Sequence, residues 1–233
     1  MLAKKILLLA ISILLINVYG LWAGDCASFV DLGFSADGRT YMFGQYGVQL
    51  STLKPWSELY IVDVCNNNFV QNGRVSFTQN SPINAGQDGS GVFYNLLANN
   101  SGLVNRYNIN FKNQGLPLYI SRNDNPPDNG ETIDFRDFIS ERAYKAELVP
   151  AISGSDQTTS SSFSIKLEVR SQNGQVRNFT VGNPQVRRQL IASYNIKRVL
   201  VDSLGESLIF VIEMKRVAEN GFDIRYMIEA LKL

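Results

Sequence analysis

Apolar and polar residues alternate over long stretches of the chain. Phe163, Ile165, Leu167 and Val169 are separated by Ser164, Lys166, Glu168 and Arg170, the period of two that gives a strand one buried face. The carboxyl-terminal segment repeats the pattern twice. Leu208, Phe210, Ile212 and Met214 share one face of a strand, and Phe222, Ile224, Tyr226, Ile228 and Ala230 share one face of the next. Asn173-Gly174 and Asn220-Gly221 supply residues that accept the backbone angles of tight hairpin turns, the first leading into a strand over Gln175–Val181. Near the start, Phe29–Phe34, Thr40–Tyr46 and Glu58–Cys65 also read as strands, with Asp37-Gly38 between the first two. Asn72-Gly73, Asp88-Gly89 and Asn129-Gly130 punctuate the middle of the chain as turns.

Helical spacing is confined to short segments. Val92, Phe93, Leu96 and Leu97 fall on one face of a helix that Ser90 can cap. A second turn starts at Ser101 and carries Leu103, Val104 and Tyr107. Asn183 as N-cap, Pro184 at the first helical position and Val186 and Leu190 four apart predict a third. Helices this short must pack on a sheet to persist. The pattern predicts a mainly β, β-rich α+β chain: antiparallel, blade-like sheets built from hairpins, with two or three short helices packed on them. The polar stretches near 121–130 and 153–162 read as mobile loops within one domain covering 25–233.

The first 24 residues read differently. Met1–Lys5 is short and basic, Ile6–Ile16 is almost unbroken apolar, and Gly20, Ala23 and Gly24 are small. This order marks a signal peptide, cleaved near Ala23 or Gly24. An uncleaved amino-terminal anchor is the alternative, if the apolar run extends through Asn17 to Ala23. Cys26 follows directly, and lipidation there would want a small residue where Asp25 stands. In an oxidising compartment Cys26 and Cys65 form the candidate disulfide. It would close a loop of about 40 residues and contribute roughly 4 kcal/mol. Two unpaired thiols are the other reading.

Composition then removes whole classes of chemistry. The 233 residues include 22 Lys+Arg and 21 Asp+Glu, and no histidine. The balance gives no footprint for nucleic acid or anionic lipid. Without histidine there is no His-based triad, His general base or His-ligated metal. Two cysteines cannot by themselves build an all-cysteine zinc or iron–sulfur site. No cofactor is expected.

The most distinctive stretch is Gly33–Phe43, GFSADGRTYMF. Asp37 and Gly38 accept unusual backbone angles, and the Ser35 and Asp37 side chains can satisfy loose turn amides. The stretch resembles the hairpin of TolB-like β-propeller repeats, with Ala36 in place of the usual proline. A degenerate echo lies at Val201–Phe210, VDSLGESLIF, where Gly205 aligns with Gly38. Two echoes imply blade-like sheet and no more. A broader resemblance runs through Gly24–Gly47, Glu58–Val64, Thr132–Phe138, Val181–Pro184, Glu206–Glu213 and Asp223–Glu229. These segments together look like an uncharacterised family of predicted secreted bacterial proteins encountered in spirochaetes. That resemblance implies export and a shared fold, with no activity and no catalytic residue to transfer.

A catalytic site would have to be built from carboxylates such as Asp31, Asp37, Asp63, Glu131, Asp134, Asp137 and Glu141. Nothing in the sequence places two of them across one bond. Tyr41, Tyr46, Trp56 and Tyr60 form a candidate aromatic binding surface, with burial in the core as the alternative. The expectation is therefore a non-enzymatic exported envelope protein that acts as a binding or scaffold module, its partner an envelope protein or glycan. A carboxylate hydrolase is the alternative chemistry. A membrane-anchored extracytoplasmic domain is the alternative attachment, and membrane contact is expected only if the signal segment is retained or Cys26 is lipidated.

Overall fold

The computed structural model describes residues 24–84, 86–122, 130–219 and 221–233. The expected signal segment through Ala23 and residues 123–129 of the predicted loop at 121–130 lie outside them, as does Asn220.

Three antiparallel sheets and two helices make up the described chain. The first sheet is a meander of β1 (Ser28–Phe34), β2 (Thr40–Gln49), β3 (Lys54–Asp63) and β4 (Asn68–Thr78). Helices α1 (Ser90–Asn99) and α2 (Ser101–Arg106) follow it. Another sheet is built on β6 (Thr132–Asp137), β7 (Arg142–Ser153) and β8 (Ser160–Arg170). There β9 (Val176–Val181) and β10 (Arg188–Gln189) pair with opposite ends of β8. Between these two sheets lies a middle one of β5 (Leu116–Ile120), β11 (Ile191–Val201), β12 (Ser207–Ala218) and β13 (Gly221–Lys232), in the order β13-β12-β11-β5. The described residues form no closed barrel or propeller.

The middle sheet is buried on both faces, and this places everything else. Leu208, Phe210 and Ile212 of β12 enter one core with Ile165, Leu167 and Tyr144. Ile209 and Val211, pointing the other way, enter a second core with Phe34, Tyr41 and Phe43. A third cluster lies outside the first sheet, where Phe93 and Leu96 of α1 cover Met42, Leu59 and Ile61. Each such side chain contributes about 1.5–3 kcal/mol by leaving water, so the two faces of β12 hold three layers together.

Strand β11 shows why alternation alone misses some elements. Ile191, then Tyr194 and Ile196, then Val199 and Val201 all face one core, although their parity changes twice. Register shifts between Ile191 and Ser193 and between Ile196 and Arg198 absorb the changes. Each is a bulge that adds a residue without turning the strand over.

The hairpins around Asp37-Gly38 and Asn173-Gly174 form as expected, with Gly38 at φ +68° and Gly174 at φ +83°. Several expectations need correction. The segment at Asn183 is a turn rather than a helix. The Asn183 carbonyl accepts from Val186 N–H and its side chain from Gln185 N–H at 2.9 Å. Leu190, at φ +65°, then starts the step into β11. Local Asx bonding has outcompeted the helix that Pro184 permits. At α1 the N-cap is Gly89, and Ser90 donates to Asp88 instead of capping. Asn72-Gly73 sits inside β4, where Asn72 at φ +58° bulges the strand between the pairs Val62–Phe69 and Tyr60–Arg74. The predicted loop at 153–162 is mostly regular. Ser153 pairs with Ser160, and a 3₁₀ turn at Asp156–Thr158 with a Ser155–Thr158 capping box joins them.

Among the described residues, three separate devices close parts of the free edge of β13. Cys26 forms a parallel bridge to Ile224, with Ile224 N–H donating to Asp25 O at 2.8 Å. Gln45 Oε1 accepts from Tyr226 N–H at 2.8 Å, and Asn67 Oδ1 from Ala230 N–H at 2.7 Å. Asp25 locks the first of these in place. Its carboxylate accepts from Trp56 Nε1 at 2.7 Å and from Arg225 at 2.8 Å, and the Arg225 guanidinium lies 4.2 Å over the Trp56 ring. An edge strand left open would invite pairing with other chains.

Candidate functional site

Beside Asn67, one strip of the β13 edge is left facing a groove of about 510 Å³. All three sheets contribute to it. The turn from β3 to β4 supplies Asn66 and Asn67, and the start of β4 supplies Asn68 and Phe69. The connection between β9 and β10 supplies Gly182, Asn183 and Val186, and β10 supplies Arg188. Strand β13 supplies Met227, Ile228 and Glu229.

Glu229 is the central group. Its side chain is only 7% exposed, and it lies on the face of β13 that also carries Met227 and Leu231, both packed on the core. Such a carboxylate needs partners, because an unpaired buried charge costs several kcal/mol. Asn67 supplies one: its amide donates to Glu229 Oε2. The orientation of that amide is fixed, because its oxygen is taken by Ala230 N–H. Asn67 itself sits at φ +48°, in the left-handed region that asparagine tolerates better than most residues. Arg188 supplies the second, with Nη2 at 3.6 Å from Glu229 Oε1. The guanidinium lies 5.1 Å over the Phe163 ring and donates to Val186 O at 3.3 Å, so it is held rather than free to swing. Gly182, at φ +83°, makes room: a Cβ there would come within 3.3 Å of the carboxyl carbon. Burial pushes the Glu229 carboxyl above its ordinary range, against the opposing pull of Asn67 and Arg188. The groove thus presents acceptors and donors side by side, between apolar walls of Val186 and Met227.

The residues singled out from the sequence lie elsewhere. Ser35, Asp37, Gly38 and Gly205 form two matched turns. Ser35 N–H donates to Thr40 O and Gly38 N–H to Ser35 O; Asp202 N–H donates to Ser207 O and Gly205 N–H to Asp202 O. Ser35 Oγ accepts from Thr40 N–H at 3.0 Å, and Asp202 Oδ1 from Ser207 N–H at 2.9 Å. The alignment of Gly38 with Gly205 therefore extends to the turn hydrogen bonds, with Asp202 in the place of Ser35. The two turns also touch, since a Cβ on Gly38 would meet Asp202 Oδ2 at 2.9 Å. Their role is to close hairpins of adjacent sheets.

Tyr41, Tyr46, Trp56 and Tyr60 do not form a shared surface. Tyr41 is fully buried and Tyr60 stacks on Phe43 at 4.9 Å, both in the core between the first and middle sheets. Tyr46 packs on Phe93 beneath the helices, and Trp56 holds Asp25. Burial, the alternative reading, accounts for them. Cys26 and Cys65 are both free. Cys26 lies two residues before Ser28, which pairs with Tyr46, and Cys65 two residues after Asp63, which pairs with Thr40. At about 3.3 Å per residue, ten residue steps along β2 put them roughly 33 Å apart along the sheet, beyond the reach of a disulfide.

The carboxylates are scattered as well. Asp31 sits at a bulge in β1 and accepts from Gly33 N–H, Glu131 accepts from Ile196 N–H at the β11 bulge, and Asp137 caps the turn after β6. Among the described residues no three of His, Cys, Asp or Glu come together to hold a metal, and no helix is long and apolar enough to cross a membrane.

The sequence patterns single out neither Glu229 nor Asn67, and they leave Arg187-Arg188 as two charges on the solvated face of the predicted third helix. A carboxylate between Met227 and Leu231 at strand spacing was a signal for Glu229, and the run Asn66-Asn67-Asn68 after a strand was one for Asn67. Arg188 carried none, because its neighbour across the groove is far away in sequence.

No curated protein and no solved structure matches the chain. A family model does match, over residues 42–232, which takes in the turn at Asp202–Ser207 and the whole groove, while the matching turn at Ser35–Thr40 lies just before it. The chain therefore belongs to the family described as predicted secreted protein, DUF2259, a domain of unknown function.

Proposed function

We propose that this exported chain works in the cell envelope as a non-catalytic binding module, and that the groove over Glu229 receives its ligand. The observation that carries the reading is the held carboxylate. A 7% exposed glutamate is gripped by an amide from the first sheet and faces a guanidinium from the third, at the bottom of an open groove. An apolar residue of similar volume would fill such a position at less cost, so the polar set points to recognition. Hydrolysis by a carboxylate pair needs a second acid across one bond. Among the described residues that line the groove, Glu229 is the only acid. Retention of the apolar leader, or a lipid on Cys26, would change where the module is held and not what the groove does.

Photo-crosslinking in the native envelope tests this. A benzophenone amino acid at Val186, on the groove wall, is expected to capture a discrete adduct. The same group at Leu50, exposed at the far end of the first sheet, is expected to capture none. Equal adducts from both positions, or none from Val186, would contradict the reading.

A further inference from the structure

We infer that the ligand of this groove is an uncharged saccharide, an assignment that rests on the groove being a binding site. Three observations select the class. The first is charge. Arg188 and Glu229 stand 3.6 Å apart, so an anion would meet the carboxylate and a cation the guanidinium. The other polar residues, Asn66, Asn67, Asn68 and Asn183, carry neutral amides.

The second observation is the mixture of hydrogen-bonding groups. Carboxylate and amide oxygens only accept, while guanidinium and amide nitrogens only donate. A sugar hydroxyl does both at once, and vicinal hydroxyls present that pair at the spacing of such side chains. Val186 and Met227 supply the apolar wall against which the C–H face of a pyranose would lie, and about 510 Å³ is within the size range of small-ligand pockets.

The third observation removes the main competitor, an extended peptide added to the β13 edge. Strand addition needs a run of open backbone groups. Gln45 occupies Tyr226 N–H and Asn67 occupies Ala230 N–H, so only the stretch at Ile228 between them faces the groove. That is too short to register a strand.

The test is calorimetric titration of the protein, purified as its host exports it, with chitotriose, cellotriose and maltotriose. Trilysine and tripolyphosphate serve as charged probes. Saturable binding of at least one neutral trisaccharide and of neither charged probe is expected. Glu229→Gln should weaken that binding about tenfold or more, since it leaves a donor where an acceptor was needed. Val186→Arg should block it by filling an exposed wall, and it remains informative if Glu229→Gln fails to fold. Binding of a charged probe without any saccharide would overturn the assignment, as would saccharide binding that survives Val186→Arg. If no saccharide binds while Val186 still captures an adduct in the envelope, the saccharide assignment falls and the binding reading stands.

Discussion

The amide of Asn67 donates to the Glu229 carboxylate while its oxygen accepts from Ala230 N–H at 2.7 Å, so one turn residue of the first sheet fixes both the acid and the edge of the middle sheet. Asn67→Ala is expected to cost about 3 kcal/mol, by leaving buried polar groups unpaired and forcing alanine to a positive φ. Asn67→Gly relieves the backbone and keeps only the first loss, so it should recover about 1 kcal/mol of that. Urea denaturation measures both. Equal and small costs would mean that the amide holds neither group.

The matched turns predict an asymmetry between their glycines. Gly38 and Gly205 have almost the same φ, +68° and +69°, but a Cβ on Gly38 meets Asp202 whereas one on Gly205 meets nothing within 4 Å. Gly205→Ala should therefore cost about 1 kcal/mol for the backbone alone, and Gly38→Ala clearly more. Thermal melts of the two variants check the order. Gly205→Ala proving the worse would break the correspondence between the turns.

Asp31 gives a pH dependence. Burial raises its carboxyl from the ordinary 3.8 to about 6. A carboxyl raised in the fold opposes folding once it must ionise, so its contribution to stability falls as pH rises from about 4 through 6 and stays unfavourable above. Asp31→Asn keeps an acceptor for Gly33 N–H and removes the ionisation. It should be more stable than the parent by about 2–3 kcal/mol at pH 8, with the difference vanishing near pH 4. A pH-independent difference would show that the carboxyl is not held in the neutral form.

Free thiols have a simple signature. Both cysteines of the folded protein should take up a maleimide without prior reduction, and non-reducing peptide maps should show no Cys26–Cys65 species. Burial pushes the Cys26 thiol up, so its alkylation should be slow at neutral pH and accelerate at higher pH. A linked peptide would require the first sheet to be rearranged.

Much of this architecture was legible in the sequence because it is local. Period-two runs gave β8, β12 and β13, Asp37-Gly38 and Asn173-Gly174 gave their hairpins, and Phe93 with Leu96 gave α1. What was missed depends on neighbours distant in sequence. Strand β11 changes parity at two bulges, the second of which is met by the side chain of Glu131. The Asn183 turn wins over a helix because the chain must deliver Arg188 to β8. The aromatic residues around the first hairpin looked like a surface because only the structure shows the layers on either side of that sheet. The groove was illegible for the same reason. Asn67 and Glu229 lie 162 residues apart, and each reads alone as an ordinary turn or strand residue.

The most direct measurement is the retention of the exported protein on its own host's envelope material, compared with that of Val186→Arg. The substitution lies on an exposed wall and leaves Glu229, Asn67 and the three cores in place, so the melting temperature should be unchanged. If the groove is where the protein binds, retention falls about tenfold or more. Unchanged retention by a folded Val186→Arg protein would contradict that.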